Sequence, residues 1–152
     1  MIFRKMKEED AASIAKLERA VFSDAWSERA VKETSLLQQA FILVAEDKGE
    51  ICGYCIVYHV LDEGDIARIA VKDTSRKAGV GTGLIEYALV CAAEFGTTKL
   101  LLDVRQSNKS AITFYKKQGF VEDGIRKHFY ENPLEDALLM SASKQLNDLQ
   151  AF

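Results

Sequence analysis

The spacing of apolar residues changes period several times along the chain, and each change predicts an element. Ile14, Leu17 and Val21 recur at helical spacing over 8–21, behind Glu8, Glu9 and Asp10, whose negative charge suits a helix start. A second helix is expected over 27–38, with Ser27 as N-cap and Glu28 in its first turn. Short runs rich in β-branched and aromatic residues follow, over 41–46 and 51–60, around Asp47-Lys48-Gly49-Glu50 as a hairpin turn. Beyond Leu61-Asp62-Glu63-Gly64 comes a strand over 65–71. Helical spacing returns over 80–95, where Leu84, Ala88, Cys91 and Phe95 share a side and Gly96 stands just past the end. The apolar stretch 99–105 is a strand and 108–118 a helix ended by Gly119; 120–126 and 134–141 are closing strands. Strands interleaved with helices in this order predict an α/β (α+β) fold built on a mixed sheet.

Composition narrows the function. A chain of 152 residues, 48% hydrophobic, suits one domain spanning 1–152. Lys and Arg number 20 against 23 Asp and Glu, a net charge of −3, which argues against a nucleic-acid partner bound through phosphates. No apolar run reaches the length of a signal or membrane span, so a cytoplasmic location with no membrane partner is expected. Cys52, Cys55 and Cys91 are odd in number, which speaks against a disulfide framework. Cys52-Gly53-Tyr54-Cys55 falls in an expected strand, where residues three apart point to opposite faces. Its thiols should diverge as small buried residues, and no metal is expected.

Glycine is scarce and unevenly placed: Gly79, Gly81 and Gly83 fall within five residues, between a strand and a helix, with Arg76 and Lys77 before them. Glycine admits close backbone approach, and a helix N-terminus favours anions, so a phosphate-bearing ligand is implied. A Walker loop would need Lys-Ser/Thr after its last glycine, and Thr82, Gly83 and Leu84 stand there instead. The dinucleotide fingerprint would need glycine at 84, which is Leu84.

Arg76-x-x-Gly79-x-Gly81 resembles the pyrophosphate loop of the GNAT acetyltransferases. Further on, Leu101-Leu102-Asp103-Val104-Arg105-Gln106-Ser107-Asn108 and Ala111-Ile112-Thr113-Phe114-Tyr115, running on to Gly119-Phe120, resemble two blocks of the RimI-type ribosomal-protein alanine N-acetyltransferases. Phe22-Ser23-Asp24-Ala25-Trp26-Ser27 is similar to that family's early block. Phe129-Tyr130 with Glu135-Asp136-Ala137-Leu138-Leu139-Met140 is similar to its late one. The resemblance implies a GNAT fold: a mostly antiparallel sheet of about seven strands, splayed between the fourth and fifth, with about four helices. It implies direct acetyl transfer from acetyl-CoA, as co-substrate, to a protein N-terminus, the terminal alanine of the eighteenth small-subunit ribosomal protein. It also implies site residues. The backbone of Ile69, Ala70 and Val71 would meet the pantetheine, and Arg76, Lys77, Ala78, Gly79, Val80, Gly81 and Thr82 the pyrophosphate. Asn108 would contact the cofactor, Tyr115 would protonate the leaving thiolate, and Trp26, Arg105 and Tyr130 would line the acceptor site. Asp103 stands where the family has a glutamate base.

The chain departs from the pattern at three places. Asp103 is one methylene shorter than glutamate, which favours a water relay and leaves Glu63 as an alternative base. Ala25 replaces a proline, which should loosen the entry to the second helix, and Phe129 replaces a tyrosine. The residues themselves leave other readings open. Leu101, Asp103 and Arg105 share one face of their strand, so Asp103 and Arg105 could form a structural ion pair. Tyr115 and Trp26 could serve packing, and Glu63 could be an ordinary loop carboxylate. An acceptor other than a protein N-terminus (a lysine or small amine) and a non-catalytic acyl-CoA sensor also stay open, as does the oligomeric state.

Overall fold

In the computed structural model, which describes residues 1–143, the chain begins with a strand the apolar pattern did not foretell, β1 (Ile2–Lys5). It is short and lies at the sheet edge, and both features blur the alternation that marks a strand. The remaining residues of the expected domain, 144–152, lie outside the described residues. The expected first helix divides into a 3₁₀ turn, Glu8–Asp10, and α1 (Ala11–Val21). Asp10 is turned inward, accepting from the Arg4 guanidinium at 2.7 Å and from the Lys7 amide at 2.7 Å. α2 (Glu28–Ser35) is capped as expected, Ser27 Oγ accepting from the Ala30 amide at 3.1 Å, and it stops short of residue 38.

There follow β2 (Ala40–Asp47), β3 (Glu50–Val60), β4 (Glu63–Val71), α3 (Val80–Glu94), β5 (Lys99–Arg105), α4 (Lys109–Lys117), β6 (Val121–Tyr130) and β7 (Glu135–Ser143). The strands form one sheet in the order β1-β2-β3-β4-β5-β7-β6, in which only β4 and β5 are parallel. α1 and α2 cover one face, where Ile14, Leu17 and Val31 pack on Ile42, Val44, Tyr54 and Ile56. α3 and α4 cover the other, where Leu84, Ala88, Ile112 and Tyr115 pack on Leu43, Val57, Leu100 and Leu102.

Two features of the sheet shape the site. β4 and β5 pair only at Glu63↔Lys99, Gly64↔Leu100 and Asp65↔Leu101, after which they part, so the sheet splays between its fourth and fifth strands as expected. Closure at the narrow end depends on Gly64, where a Cβ would lie 2.6 Å from the Leu100 side chain. The second feature is a pair of bulges, each adding one residue to a strand and shifting its side-chain alternation. In β4 the register jumps from Val57↔Ile66 to Ile56↔Arg68, which leaves Ala67 as the extra residue. In β3 it jumps from Glu46↔Ile51 to Ala45↔Gly53, which leaves Cys52 extra. The second bulge corrects the reading of the two thiols: Cys52 and Cys55 do not diverge but both enter the core beneath α3.

Candidate active site

The glycine-rich segment forms the turn into α3. Gly79 is the helix N-cap with φ +80°, the left-handed region that glycine enters without strain, and Lys77 before it has φ +66°. The first amides of a helix have no acceptor within it, so those of Val80, Gly81 and Thr82 are free to meet an anion. Arg76, more than half exposed, pairs loosely with Asp73 at 3.2 Å. The other two glycines serve packing as well. A Cβ on Gly81 would stand 3.0 Å from the Phe114 ring, a tight contact, and one on Gly83 only 2.1 Å from Phe3, so α3 cannot keep its seat beside β1 with a side chain at 83 unless Phe3 moves. Thr82 Oγ1 accepts from the Gln118 amide at 3.1 Å, which ties the start of α3 to the end of α4.

Beside the gap, the two candidate proton-transfer residues lie on opposite faces of β5. Tyr115 is nearly buried on the α3–α4 face, with ring centroids of Phe114 and Phe120 at 5.4 and 5.7 Å. Burial pushes its phenol well above the usual tyrosine range. Asp103 alternates with the buried Leu102 and Val104 and therefore faces the other way, toward the side of α1 and α2, where it is half-buried. Among the described residues no hydrogen bond or ion pair holds it. The structural ion pair with Arg105 is not formed. Arg105 is instead committed to the β6–β7 connection, donating to Glu135 Oε1 (3.2 Å), Pro133 O (2.9 Å) and Glu131 O (3.0 Å). Its guanidinium also stacks 4.5 Å from the Tyr130 ring centroid. Glu135 accepts from the Ser107 amide at 2.7 Å, and that bond with Arg105 outweighs desolvation to hold its carboxyl below the usual range. Tyr130 is pushed up to about 12 by burial and by the nearby Asp103 charge.

A family model described as Acetyltransferase (GNAT) family matches residues 11–120. The chain belongs to the GNAT acetyltransferases. A Bacillus subtilis protein named as a candidate [ribosomal protein bS18]-alanine N-acetyltransferase is 35% identical over 138 residues, 90% of this chain and 91% of its own. The crystal structure of the ribosomal-protein-S18-alanine N-acetyltransferase from Escherichia coli superposes with a TM-score of 0.84 at 26% identity, covering 93% of this chain and 92% of that one. A Bacillus anthracis candidate streptothricin acetyltransferase, solved with acetyl coenzyme A, gives 0.69 at 27% identity over 74% of this chain and 67% of its own. This GNAT protein is an acetyl-CoA-dependent N-acetyltransferase. Its residues fit the co-substrate: a helix start with free amides, basic Arg76 and Lys77, an open Gly79 with no neighbour within 4 Å of a built Cβ, and a splayed strand pair alongside.

The remaining expected residues of the GNAT site are distributed unevenly. Ile69, Ala70 and Val71 lie on β4 beyond its last pairing with β5, where they border the gap. Asn108 caps α4, its Oδ1 accepting from the Ala111 amide at 3.2 Å, which leaves its NH₂ group for a ligand. Glu63 is the first residue of β4, opposite Lys99 at the closed end, with Asp65 between it and the gap. Asp65 was not foreseen: burial first and the Asp103 charge second push its carboxyl up.

Also unforeseen was a buried polar group under the loop 22–27. Glu18, fully buried on α1, accepts from the Trp26 amide at 2.9 Å and from the Tyr54 hydroxyl. Arg68 on β4 reaches the same loop, and Trp26 packs half-buried on the α1–α2 core. The only signal in the sequence was a glutamate among the apolar positions of an amphipathic helix, and its partners stand 8, 36 and 50 residues away.

Proposed function

We propose that this GNAT enzyme acetylates the N-terminal α-amine of a ribosomal protein that begins with alanine, by direct transfer in a ternary complex. The acetyl-CoA thioester supplies an activated acyl group that an amine can attack without a covalent enzyme intermediate. Arg76 to Thr82 would hold its pyrophosphate, and the backbone of Ile69, Ala70 and Val71 its pantetheine arm. The observation that carries the reading is the placement of Asp103 and Tyr115 on opposite faces of β5, beside the strand pair that parts after Asp65↔Leu101.

In this arrangement Asp103 takes a proton from the incoming amine, directly or through a water, on the open face. Tyr115, whose raised phenol keeps its proton at neutral pH, donates it to the departing sulfur on the buried face. Asp103 serves better than Glu63, which pairs with Lys99 at the closed end of the strand pair, whereas Asp103 lies four residues further along β5, beyond the last pairing with β4. An α-amine suits a short base. With a pKa of about 7.7–8.0 it is roughly a tenth neutral at pH 7, whereas a lysine near about 10.4 is almost wholly protonated. Trp26 and Tyr130 border the face that receives the acceptor, and Arg105 positions Tyr130 by stacking on it. The relatives' names point to bS18 as the acceptor, and a cytoplasmic site of action goes with it.

The test is a panel of peptides beginning with Ala, Ser or Met, and one N-terminally blocked with an internal lysine, each incubated with acetyl-CoA and mapped by mass spectrometry. Acetyl on the α-amine of the Ala peptide is expected. Modification of the lysine alone, or of no peptide while acetyl-CoA still binds, overturns the reading.

A further inference from the structure

The buried polar group beneath loop 22–27 does more than satisfy a carboxylate. Arg68 stands at the β4 bulge, where Ala67 and Arg68 both turn toward the α1–α2 side. Without the extra residue the alternation would have sent one of them to the other face. From there Arg68 Nη2 donates to the Asp24 carbonyl at 2.9 Å and to Asp24 Oδ1 at 2.9 Å. Its Nε stands 3.4 Å from Glu18 Oε1, and the guanidinium lies 4.1 Å from the centroid of the Phe22 ring. Glu18 in turn holds the Trp26 amide at 2.9 Å. The loop is thus gripped at Phe22, Asp24 and Trp26. It contains no proline, since the chain's one proline is Pro133, so nothing in its own backbone enforces this shape.

The next residue after Arg68 is Ile69, the first of the three that border the acyl gap. One side chain therefore joins the strand that borders the gap to the loop that carries Trp26. The planar guanidinium fork makes several directed contacts at once, which a lysine cannot reproduce. We propose that Arg68 is a positioning residue for acceptor recognition: by clamping loop 22–27 to the β4 bulge it holds Trp26 in register with the reaction gap. It touches neither the cofactor loop nor the reacting atoms. The inference rests on the proposed peptide acceptor, and it assigns to Arg68 the apparent affinity for that peptide.

Trp26 is the only tryptophan in the chain, so the loop carries its own optical reporter. The experiment compares wild type, Arg68→Met, Arg68→Lys and Asp24→Ala in the full chain. Acrylamide quenching of Trp26 is measured without any ligand, acetyl-CoA affinity by calorimetry, and KM and kcat with the Ala-initiated peptide. Misplacement of a substrate-positioning element by about 1 Å can cost up to about a hundredfold. Arg68→Met is expected to increase quenching and raise peptide KM about tenfold, with acetyl-CoA affinity within about twofold of wild type. Asp24→Ala, whose exposed side chain leaves the core intact, should move the same two readouts by less, and Arg68→Lys should restore them only in part. Unchanged quenching, or unchanged peptide KM in an active wild-type background, overturns the clamp. So does a loss of acetyl-CoA affinity as large as the loss for peptide, which would mark Arg68 as merely structural. A wild type inert toward every peptide overturns the acceptor reading itself, and the quenching series then still reports whether the loop was held.

Discussion

The two faces of β5 beside the gap are built by different means. On the α3–α4 face, Tyr115 is packed among Phe114, Phe120 and the glycine-lined start of α3, an apolar and close-fitted setting. On the other face, Asp103, Asp65, Arg105 and Tyr130 stand half open to solvent, and order comes from directed polar contacts: Arg105 on Glu135, Arg68 on Asp24. The difference suits the proposed reaction. One face would keep a phenol protonated and dry beside a ligand of fixed shape, which close packing does. The other would admit a variable polypeptide, and a polar frame around an open surface leaves it room.

If the contrast holds, substitutions on the packed face should cost the most. Tyr115→Phe keeps the ring contacts and removes only the hydroxyl, so kcat should fall about a hundredfold, the low end for loss of a positioned acid. Acetyl-CoA affinity measured by calorimetry should stay within about twofold. An equal loss in both would show that the hydroxyl is there for binding. Next in size is Gly83→Ala, whose new methyl would strike the Phe3 ring. Overpacking of this kind costs about 1–3 kcal/mol in a denaturation midpoint, and Phe3→Ala in the same chain should recover part of the loss. The open face should yield the smallest change. Asp65 is held above the ordinary carboxylate range by burial and by Asp103, so its ionised form is disfavoured in the folded state. That penalty is absent below the unfolded value, grows as pH rises from there toward the raised one, and is complete above it. Asp65→Asn should therefore stabilise the protein at neutral pH by less than about 0.5 kcal/mol, with no gain in acid. A larger effect, or one of opposite sign, would mean that this face is not the loosely packed surface described.

The contrast also explains what could be read from the chain. The packed face is local in sequence: Arg76 to Thr82, Asn108 and Tyr115 lie on consecutive elements, so the glycine-rich turn into a helix was legible from them, while the splay came only from the family resemblance. Even there the cause was incomplete, because Gly81 and Gly83 turned out to admit Phe114 and Phe3 as well as exposing backbone. The polar frame was not legible. Glu18, Tyr54 and Arg68 meet across 36 and 50 residues, and Arg68 is aimed by a bulge that no single-strand alternation announces. The Cys52 bulge misled in the same way, because face assignments by parity fail once a strand carries an extra residue. Ala25 was expected to loosen the entry to α2, and the loop is instead held from outside by Glu18 and Arg68.

The placement of the three cysteines has a practical side. All are unpaired and buried, and burial pushes Cys55 up to about 12 and raises Cys52 and Cys91 as well. Thiolate is the reactive form, so the folded protein should be nearly silent toward thiol-specific dyes. The coenzyme A thiol released on turnover can then be counted directly with such a dye. Conversely, a slow rise in signal without acceptor would time the opening of the core around β3 and α3, turning a nuisance background into a clock for local unfolding.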